Sequence, residues 1–379
     1  MLQKLRQELI ANFENKDYEL AFRRLLDFAK DSDDISFIKS AISISEKYEI
    51  NATNDAELLN LINASHSLIE EIYSFQTGFK VNSETLVLET NDITKTYSHG
   101  SFSMKPISIK IKTGEIIGIV GENGNGKTTL LKCLCGQNSI DSGKIIYHLF
   151  TDQSNYFIKH KVAFIPQRIP RWYGNLKDNL HFNAAISGWE GKENEIQVDY
   201  MLERFKLKKY ANLTWEQISS GYRTRFEIAR ILLQKPTLLI LDEPLANLDI
   251  KAQETILTDL RFMSKSYKNP MAIILSSQQL HEVEKIADRV LVIRNGECVF
   301  NSAEEVDIQT SVLELETTMT RDELISILKH HHIDVQFNGG FFTLKSNEKS
   351  IQEIQQLLIE NKVPINYCRN ISSSSKRYF

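Results

Sequence analysis

Apolar residues recur at helical spacing through the first 78 positions and at strand spacing through much of the remaining chain. Leu2, Leu5, Leu9 and Phe13 share one helical face, as do Phe22, Leu25, Leu26 and Ala29. Asp31-Ser32-Asp33-Asp34 and Asn51-Ala52-Thr53-Asn54 are polar breaks that carry helix-capping residues. The spacing predicts a bundle of about four helices over residues 1–78, with a core of its own. Around 79–85 the period changes to alternation. Leu86, Leu88 and Ile93 predict one strand, and Ile107, Ile109 and Ile111 a second, with the polar turn Thr94-Lys95-Thr96-Tyr97-Ser98-His99-Gly100 between them. Four unbroken apolar runs, Ile116-Ile117-Gly118-Ile119-Val120, Leu238-Leu239-Ile240-Leu241, Ala272-Ile273-Ile274-Leu275 and Val290-Leu291-Val292-Ile293, have the length and β-branching of buried strands. Helical stretches near 176–207 and 226–233 alternate with them, which predicts a three-layer α/β core over 85–305. Beyond 310 the order strand 312–315, helix 321–328, strands 333–337 and 341–344, helix 351–359 and strand 365–368 is that of a small ferredoxin-like α+β domain, residues 310–379.

The run at Ile116 ends in Gly121-Glu122-Asn123-Gly124-Asn125-Gly126-Lys127-Thr128, a full match to G-x-x-x-x-G-K-[ST], and Thr129-Leu130-Leu131-Lys132-Cys133-Leu134 continues as a helix. Strand, glycine loop and helix are the context in which backbone N–H groups and a helix N-terminus converge on phosphate. Lys127 is expected to reach the β- and γ-phosphates of a nucleoside triphosphate, and the Thr128 hydroxyl to hold Mg²⁺. Leu241 is followed by Asp242-Glu243-Pro244, which carries two carboxylates off the end of a central parallel strand. Asp242 is expected to hold Mg²⁺ through water, and Glu243 to face the attacking water.

Composition narrows the setting. The 379 residues are 42% hydrophobic and 25% charged, ordinary for a globular protein of two or three domains. A net charge of −4 gives no reason to expect a nucleic-acid partner. No basic-then-apolar leader opens the chain, and no apolar run reaches the roughly 20 residues that span a bilayer. The expected location is the cytoplasm, peripheral to the cell membrane through a partner. Cys133, Cys135, Cys298 and Cys368 fit no zinc spacing and read as reduced thiols. His330-His331-His332 cannot all face one ion and reads as a solvated helix end.

Over residues 85–305 the sequence resembles the ATP-binding-cassette (ABC) family of ATPases. Gly121 to Thr128 matches its Walker A loop, Leu238 to Asp242 with Glu243 its Walker B strand and catalytic glutamate, and Ala246-Asn247-Leu248-Asp249 its D-loop. Ile218-Ser219-Ser220-Gly221-Tyr222 resembles the signature L-S-G-G-Q. Tyr97 stands where the family keeps an aromatic that stacks on adenine, and Gln167 where it keeps a glutamine that contacts Mg²⁺ and senses the transport partner. The resemblance implies a P-loop NTPase cassette with a helical subdomain at about 168–233, ATP and Mg²⁺ as cofactors, and ATP hydrolysis. It also implies nucleotide sandwiched between two subunits, homo- or heterodimeric, each Walker site completed by the signature residues Ser219 and Gly221 of the other, with D-loop Asp249 also expected at the nucleotide. The small C-terminal domain resembles the accessory domain of exporter ATPases. The implied function is an exporter-like ATP-binding subunit that couples dimer closure to separate membrane permease subunits.

The sequence departs from the family at three positions. Ser220 replaces the first signature glycine, Tyr222 replaces the glutamine, and Gln278 stands in place of the histidine that follows the 272–275 strand. A glutamine amide donates a hydrogen bond but cannot take a charge or relay a proton, so turnover is expected to be slow. The alternative reading is a soluble, non-transport ABC-type ATPase acting as a slow switch. The helices of 1–78 are expected to contact an unknown partner. Little packing is expected to cross 79–85, so that the helices could be removed with nucleotide binding intact.

Overall fold

A computed structural model describes residues 2–51, 54–76, 85–97, 102–148, 160–246, 248–302, 310–338 and 340–372. The expected boundary at 79–84, the turn residues Ser98, His99 and Gly100, Ala52 and Thr53 of the second polar break, D-loop Asn247 and Gly339 lie outside them. The chain divides into two compact units, Met1–Asp288 with Val292–Val299, and Arg289–Leu291 with Phe300–Phe379.

Four helices open the first unit: α1 (Leu2–Glu14), α2 (Tyr18–Lys30), α3 (Ile35–Asn51) and α4 (Asp55–Gln76). The apolar faces read from the sequence are the ones buried. Phe22, Leu25, Leu26 and Ala29 are at most 2% exposed, and Phe13 meets Phe22 edge to face at 5.2 Å. Each fully buried Leu or Phe contributes about 1.5–3 kcal/mol, enough together to hold four short helices that would be marginal alone.

Two sheets come next. Strand β1 (Leu86–Thr96) pairs antiparallel with β2 (Ser103–Ile107), β3 (Lys110–Lys112) and β5 (Ser142–Tyr147). The strand expected through Ile107, Ile109 and Ile111 is thus two short strands. The Thr90 hydroxyl accepts from Ile109 N at 2.8 Å and Ser108 Oγ accepts from Asp92 N at 2.9 Å, so local side chains take over the ladder where β2 ends. All three isoleucines remain buried.

The second sheet has six strands in the order β10-β9-β4-β8-β7-β6, namely Glu297–Asn301, Arg289–Arg294, Ile116–Val120, Ala272–Ser277, Leu238–Leu241 and Val162–Ile165. The last four are parallel, and their registers set Val120 beside Ser277, Leu275 beside Leu241, and Leu241 beside Ile165. Their C-terminal ends therefore share one sheet edge. Helices α5 (Lys127–Leu134), α9 (Ile250–Ser264) and α10 (Leu280–Glu284) belong to this core. A helical stretch of α6 (Leu176–Ile186), α7 (Gly191–Arg204) and α8 (Ser220–Leu232) separates β6 from β7.

The bundle and this core lie in one compact unit, with α2 and α3 packed against α7. Arg204 of α7, 1% exposed, contacts Asp27 of α2 and Asp259 of α9, and Arg24 of α2 contacts the same two acids. Ser45 Oγ donates to Glu203 at 2.5 Å, and Lys208 pairs with Glu46. The sparse packing expected between the helices and the rest is not what these contacts show. Charges from distant segments seal the bundle to the cassette.

The second unit contains β11 (Ser311–Glu316), α11 (Arg321–Leu328), β12 (Asp334–Asn338), β13 (Phe341–Ser346), α12 (Ile351–Glu360) and β14 (Tyr367–Asn370). Its sheet order is β12-β13-β11-β14, all antiparallel. Capping boxes at Thr320/Glu323 and Ser350/Glu353 start the two helices, and Leu313, Leu315, Leu324, Leu344, Ile354 and Leu358 form their common core.

Candidate functional site

Four loops leave the shared edge of the parallel sheet, and each brings one or two of the expected site residues. The glycine loop follows β4, Gln167 lies two residues beyond β6, Asp242 and Glu243 follow β7, and Gln278 follows β8. Ligand sites form at such an edge because every strand there delivers its next residue to one place.

The glycine loop is shaped by close approach. A Cβ on Gly121 would stand 2.3 Å from the Ile293 carbonyl oxygen, and Gly126, at φ 101°, would drive one into the Phe102 ring. Gly126 is the N-cap of α5, so the first N–H groups of that helix are free of intrahelical partners and open toward the loop. Asn125 fixes the loop from outside. Its side-chain oxygen accepts from Asn295 N at 3.0 Å and its carbonyl from Gly296 N at 3.0 Å.

Lys127 is 4% exposed. Its ammonium donates to the Gly121 carbonyl at 2.7 Å and the Glu122 carbonyl at 3.2 Å, and lies 3.1 Å from Glu243 Oε1. Thr128 Oγ1 donates to Asp242 Oδ2 at 2.7 Å. The other Asp242 oxygen accepts from Ser276 Oγ at 2.8 Å, and the same Ser276 hydroxyl accepts from Glu243 N at 2.9 Å. Glu243 Oε2 accepts from both Gln167 Nε2 and Gln278 Nε2, each at 2.8 Å. Glu243 sits at φ 48° in the left-handed region, a conformation that costs a non-glycine residue roughly 1–2 kcal/mol. The surrounding donors hold it there.

Lys127, Thr128, Gln167, Asp242, Glu243 and Gln278 are thus one connected group. Ser276 and Phe102 belong with them, and sequence reasoning misses both. Ser276-Ser277 is a hydroxyl pair at the end of an otherwise apolar strand, which is the signal that could have found the first. Phe102 has no comparable signal, because its place on Gly126 depends on the β1–β2 pairing. Tyr97 is 41% exposed, its hydroxyl accepts from Asn138 Nδ2 at 2.9 Å, and its ring lies 6.4 Å from that of Phe102. Glu122, Asn123 and Gly124 form the exposed crest of the loop, and Thr129 lies in the first turn of α5.

Ser219, Gly221 and Asp249 are gathered elsewhere. They line a cavity together with Tyr222 and Arg225, and none of Lys127, Asp242 or Glu243 lines it. Ser219 is the N-cap of α8 with no side-chain capping bond, and Gly221 faces Leu248 and Ala252. Asp249 caps α9, accepting from Ala252 N at 2.9 Å. Tyr222 packs on Tyr210 with ring centroids 3.9 Å apart, and the hydrogen bond between them pushes the Tyr222 hydroxyl up from its ordinary value. The stacked pair Trp172 and Trp215, 5.1 Å apart, anchors this helical region, with Trp172 Nε1 donating to Glu227 of α8 at 3.2 Å. Cys133 and Cys135 are buried, and burial pushes the Cys133 thiol up to about 11.

Comparison with known proteins decides the family. The ABC transporter family model matches residues 104–246. The uncharacterized ABC transporter ATP-binding protein YcbN of Bacillus subtilis is 33% identical over 78% of this chain and 96% of its own length. The chain belongs to the ABC transporter ATP-binding proteins. The phosphonates import ATP-binding protein PhnC of Treponema denticola is 30% identical over 57% of this chain and 89% of its own length. The structure of cbiO1 from Clostridium perfringens, part of the ABC transporter complex cbiONQ, superposes with a TM-score of 0.52 at 26% identity, covering 59% of this chain and 93% of cbiO1. As an ABC ATP-binding protein the chain binds ATP and has the cassette fold, and its family is one of ATPases. Among these relatives the name that states a direction states import, so the exporter-like character expected from the C-terminal unit takes no support from it.

The residues present fit Mg²⁺·ATP. Thr128 Oγ1 and Asp242 Oδ2 are a close oxygen pair beside a buried lysine. Among the described residues no three His, Cys, Asp or Glu side chains form a metal cage. Magnesium in phosphate sites needs one or two protein oxygens, with waters and phosphates completing the shell.

Proposed function

We propose that the chain is the ATP-hydrolysing subunit of an ABC transporter, driving separate membrane permease subunits through ATP-dependent pairing with a second ABC subunit. The observation that carries the reading is the division of the ATP machinery into two places. Lys127, Thr128, Gln167, Asp242, Glu243 and Gln278 meet at the sheet edge, while Ser219, Gly221 and Asp249 line another cavity. A chain built this way has half of each of two sites, and pairing with a second subunit makes both whole.

In this reading Lys127 and the N–H groups from Gly124 to Thr129 hold the phosphates, and Tyr97 stacks on the base. Thr128 and Asp242, with Gln167, would hold Mg²⁺, which when bound would neutralise charge that develops on the phosphate oxygens. Glu243 orients the attacking water and accepts its proton. ATP displaces the Glu243 carboxylate from Lys127, because several phosphate charges outcompete one. We read the C-terminal unit as a ferredoxin-like accessory domain, supported by its β-α-β-β-α-β order and its strand order. No helix among the described residues is long and apolar enough to cross a membrane, so attachment to the cytoplasmic face would run through the permease. The test is purification from membranes in ATP. Recovery of an integral membrane protein with the chain is the expected result, and recovery of none overturns the transport reading.

A second reading, a slow soluble switch, is favoured by Gln278. It occupies the place of the family's histidine and holds Glu243 through an amide that cannot carry a proton.

A further inference from the structure

The helical bundle and the cassette enclose a cavity of about 440 Å³ that none of the ATP-site residues lines. Its size falls among those of small-molecule sites, which form preferentially between packed domains. Helices α1 and α2 give one wall, α7 another, and the end of α9 with the segments around Pro236 and Pro270 much of the rest. Leu9, Phe28, Met201, Phe205 and Met271 supply an apolar lining, with two methionines that adapt to irregular shapes.

The charges of the lining do not balance. Its acids are engaged, Glu8 by Lys4 at 3.7 Å. Asp27 is held by Arg24 and Arg204, Asp33 by Lys268, and Asp31 accepts from Ser266 Oγ at 2.6 Å and Tyr267 N at 2.9 Å. Lys30, Lys161 and Lys235 line the same cavity, and none forms an ion pair among the described residues. Lys30 donates to Gln197 Oε1 at 2.6 Å. Its ammonium lies 5.1 Å from the centroid of the Trp189 ring, and that of Lys235 lies 3.9 Å from the same centroid. Two ammonium groups thus share one ring, with no carboxylate among the described residues bound to either. Arg24 Nε, deep in the same wall, is buried without a hydrogen-bond partner. Burial, and then the charge of Lys235, push Lys30 down to about 8, against the weaker pull of Asp33, Asp31 and Glu193. An anion seated between the two lysines would relieve that repulsion, and the apolar lining would take the body attached to it.

We propose that this cavity binds a small amphipathic anion, with a carboxylate or phosphate head at Lys30 and Lys235 and an apolar body against Phe28, Met201 and Met271. Such a ligand touches the bundle, the helical region and the sheet core at once, which makes the bundle a sensing element attached to the ATPase.

The test is isothermal titration of the full-length, nucleotide-free protein with four probes below their micellar concentrations: decanoate, decyl phosphate, decan-1-ol and decylammonium. Decanoate and decyl phosphate are expected to bind one per chain. Decan-1-ol and decylammonium should bind about tenfold more weakly or worse, the loss of a charge-assisted contact. Lys30→Gln with Lys235→Gln should melt and bind ATP as the wild type does, yet hold decanoate no better than decan-1-ol. Binding of no probe, equal binding of all four by the wild type, or an undiminished anion preference in the double variant would each overturn the proposal. If the variant does not fold, the wild-type preference among the four probes decides alone. Binding is read without turnover, so its failure leaves the ATPase reading untouched.

Discussion

Gln278 Nε2 donates to Glu243 Oε2 at 2.8 Å. The same oxygen takes the Gln167 amide at 2.8 Å, while Lys127 lies 3.1 Å from the other carboxylate oxygen. The carboxylate proposed to orient water is therefore held by one cation and two neutral amides, and neither amide can relay a proton from water.

Turnover follows from that arrangement. The wild type is expected to bind ATP and release phosphate slowly, and Gln278→His to speed release. Glu243→Gln should lower kcat by about 10²–10⁴, the usual contribution of a general base, and leave a long-lived closed dimer. Steady-state phosphate release with size-exclusion chromatography in ATP checks both. A fast wild type that Gln278→His leaves unchanged or slows would reject the slow switch.

Lys127→Gln is expected to weaken ATP binding by about 10²-fold, the equivalent of roughly 3 kcal/mol for charge-assisted contacts to phosphate. It also strands the Glu243 carboxylate, so a fall in melting temperature should accompany it. A nucleotide titration beside a thermal melt separates the two effects. Unchanged affinity would remove the phosphate role of the loop.

Removal of residues 1–78 is expected to destabilise the cassette. Arg204 is 1% exposed between Asp27 and Asp259, and taking away α2 leaves it facing an open surface with one acid. Arg204→Met should cost about 3–5 kcal/mol, since the buried Asp259 and the partly buried Asp27 lose the cation they share. Thermal melts of the truncated chain and of the variant check this. A truncated chain that melts with the full one would restore an independent bundle.

Asp31 gives a pH signature. Burial pushes its carboxyl up to about 6, against hydrogen bonds from Ser266 and Tyr267 that pull the other way. The unfolded chain releases this proton near pH 3.9, so between about 4 and 6 the folded state holds the extra proton. This group's contribution to stability therefore falls as pH rises through that window. Asp31→Asn is expected to flatten the decline in melting temperature between about pH 4 and 6, which thermal melts across that range check. Asp27 runs the opposite way. Burial alone would raise it, yet Arg204 and Arg24 hold it below its ordinary value, so its contribution is present above about pH 3.9 and lost as acid protonates it.

Local features are legible in the chain. The Ile116–Val120 strand, the glycine loop and the helix from Lys127 are adjacent in sequence, and their period and spacing are set by backbone sterics and phosphate geometry. The carboxylates after Leu241 and the glutamine after Ser277 are legible for the same reason, as is the element order beyond residue 310. Features that depend on partners far along the chain emerge only in the folded molecule. The strand order sets β8 between β4 and β7 and so brings Ser276 against Asp242, 34 residues apart in sequence. Asp27, Arg204 and Asp259 come from three separate helices, and no local pattern in the sequence pairs them. A buried ion pair leaves no local pattern, because its cost is repaid by residues that sequence proximity does not connect.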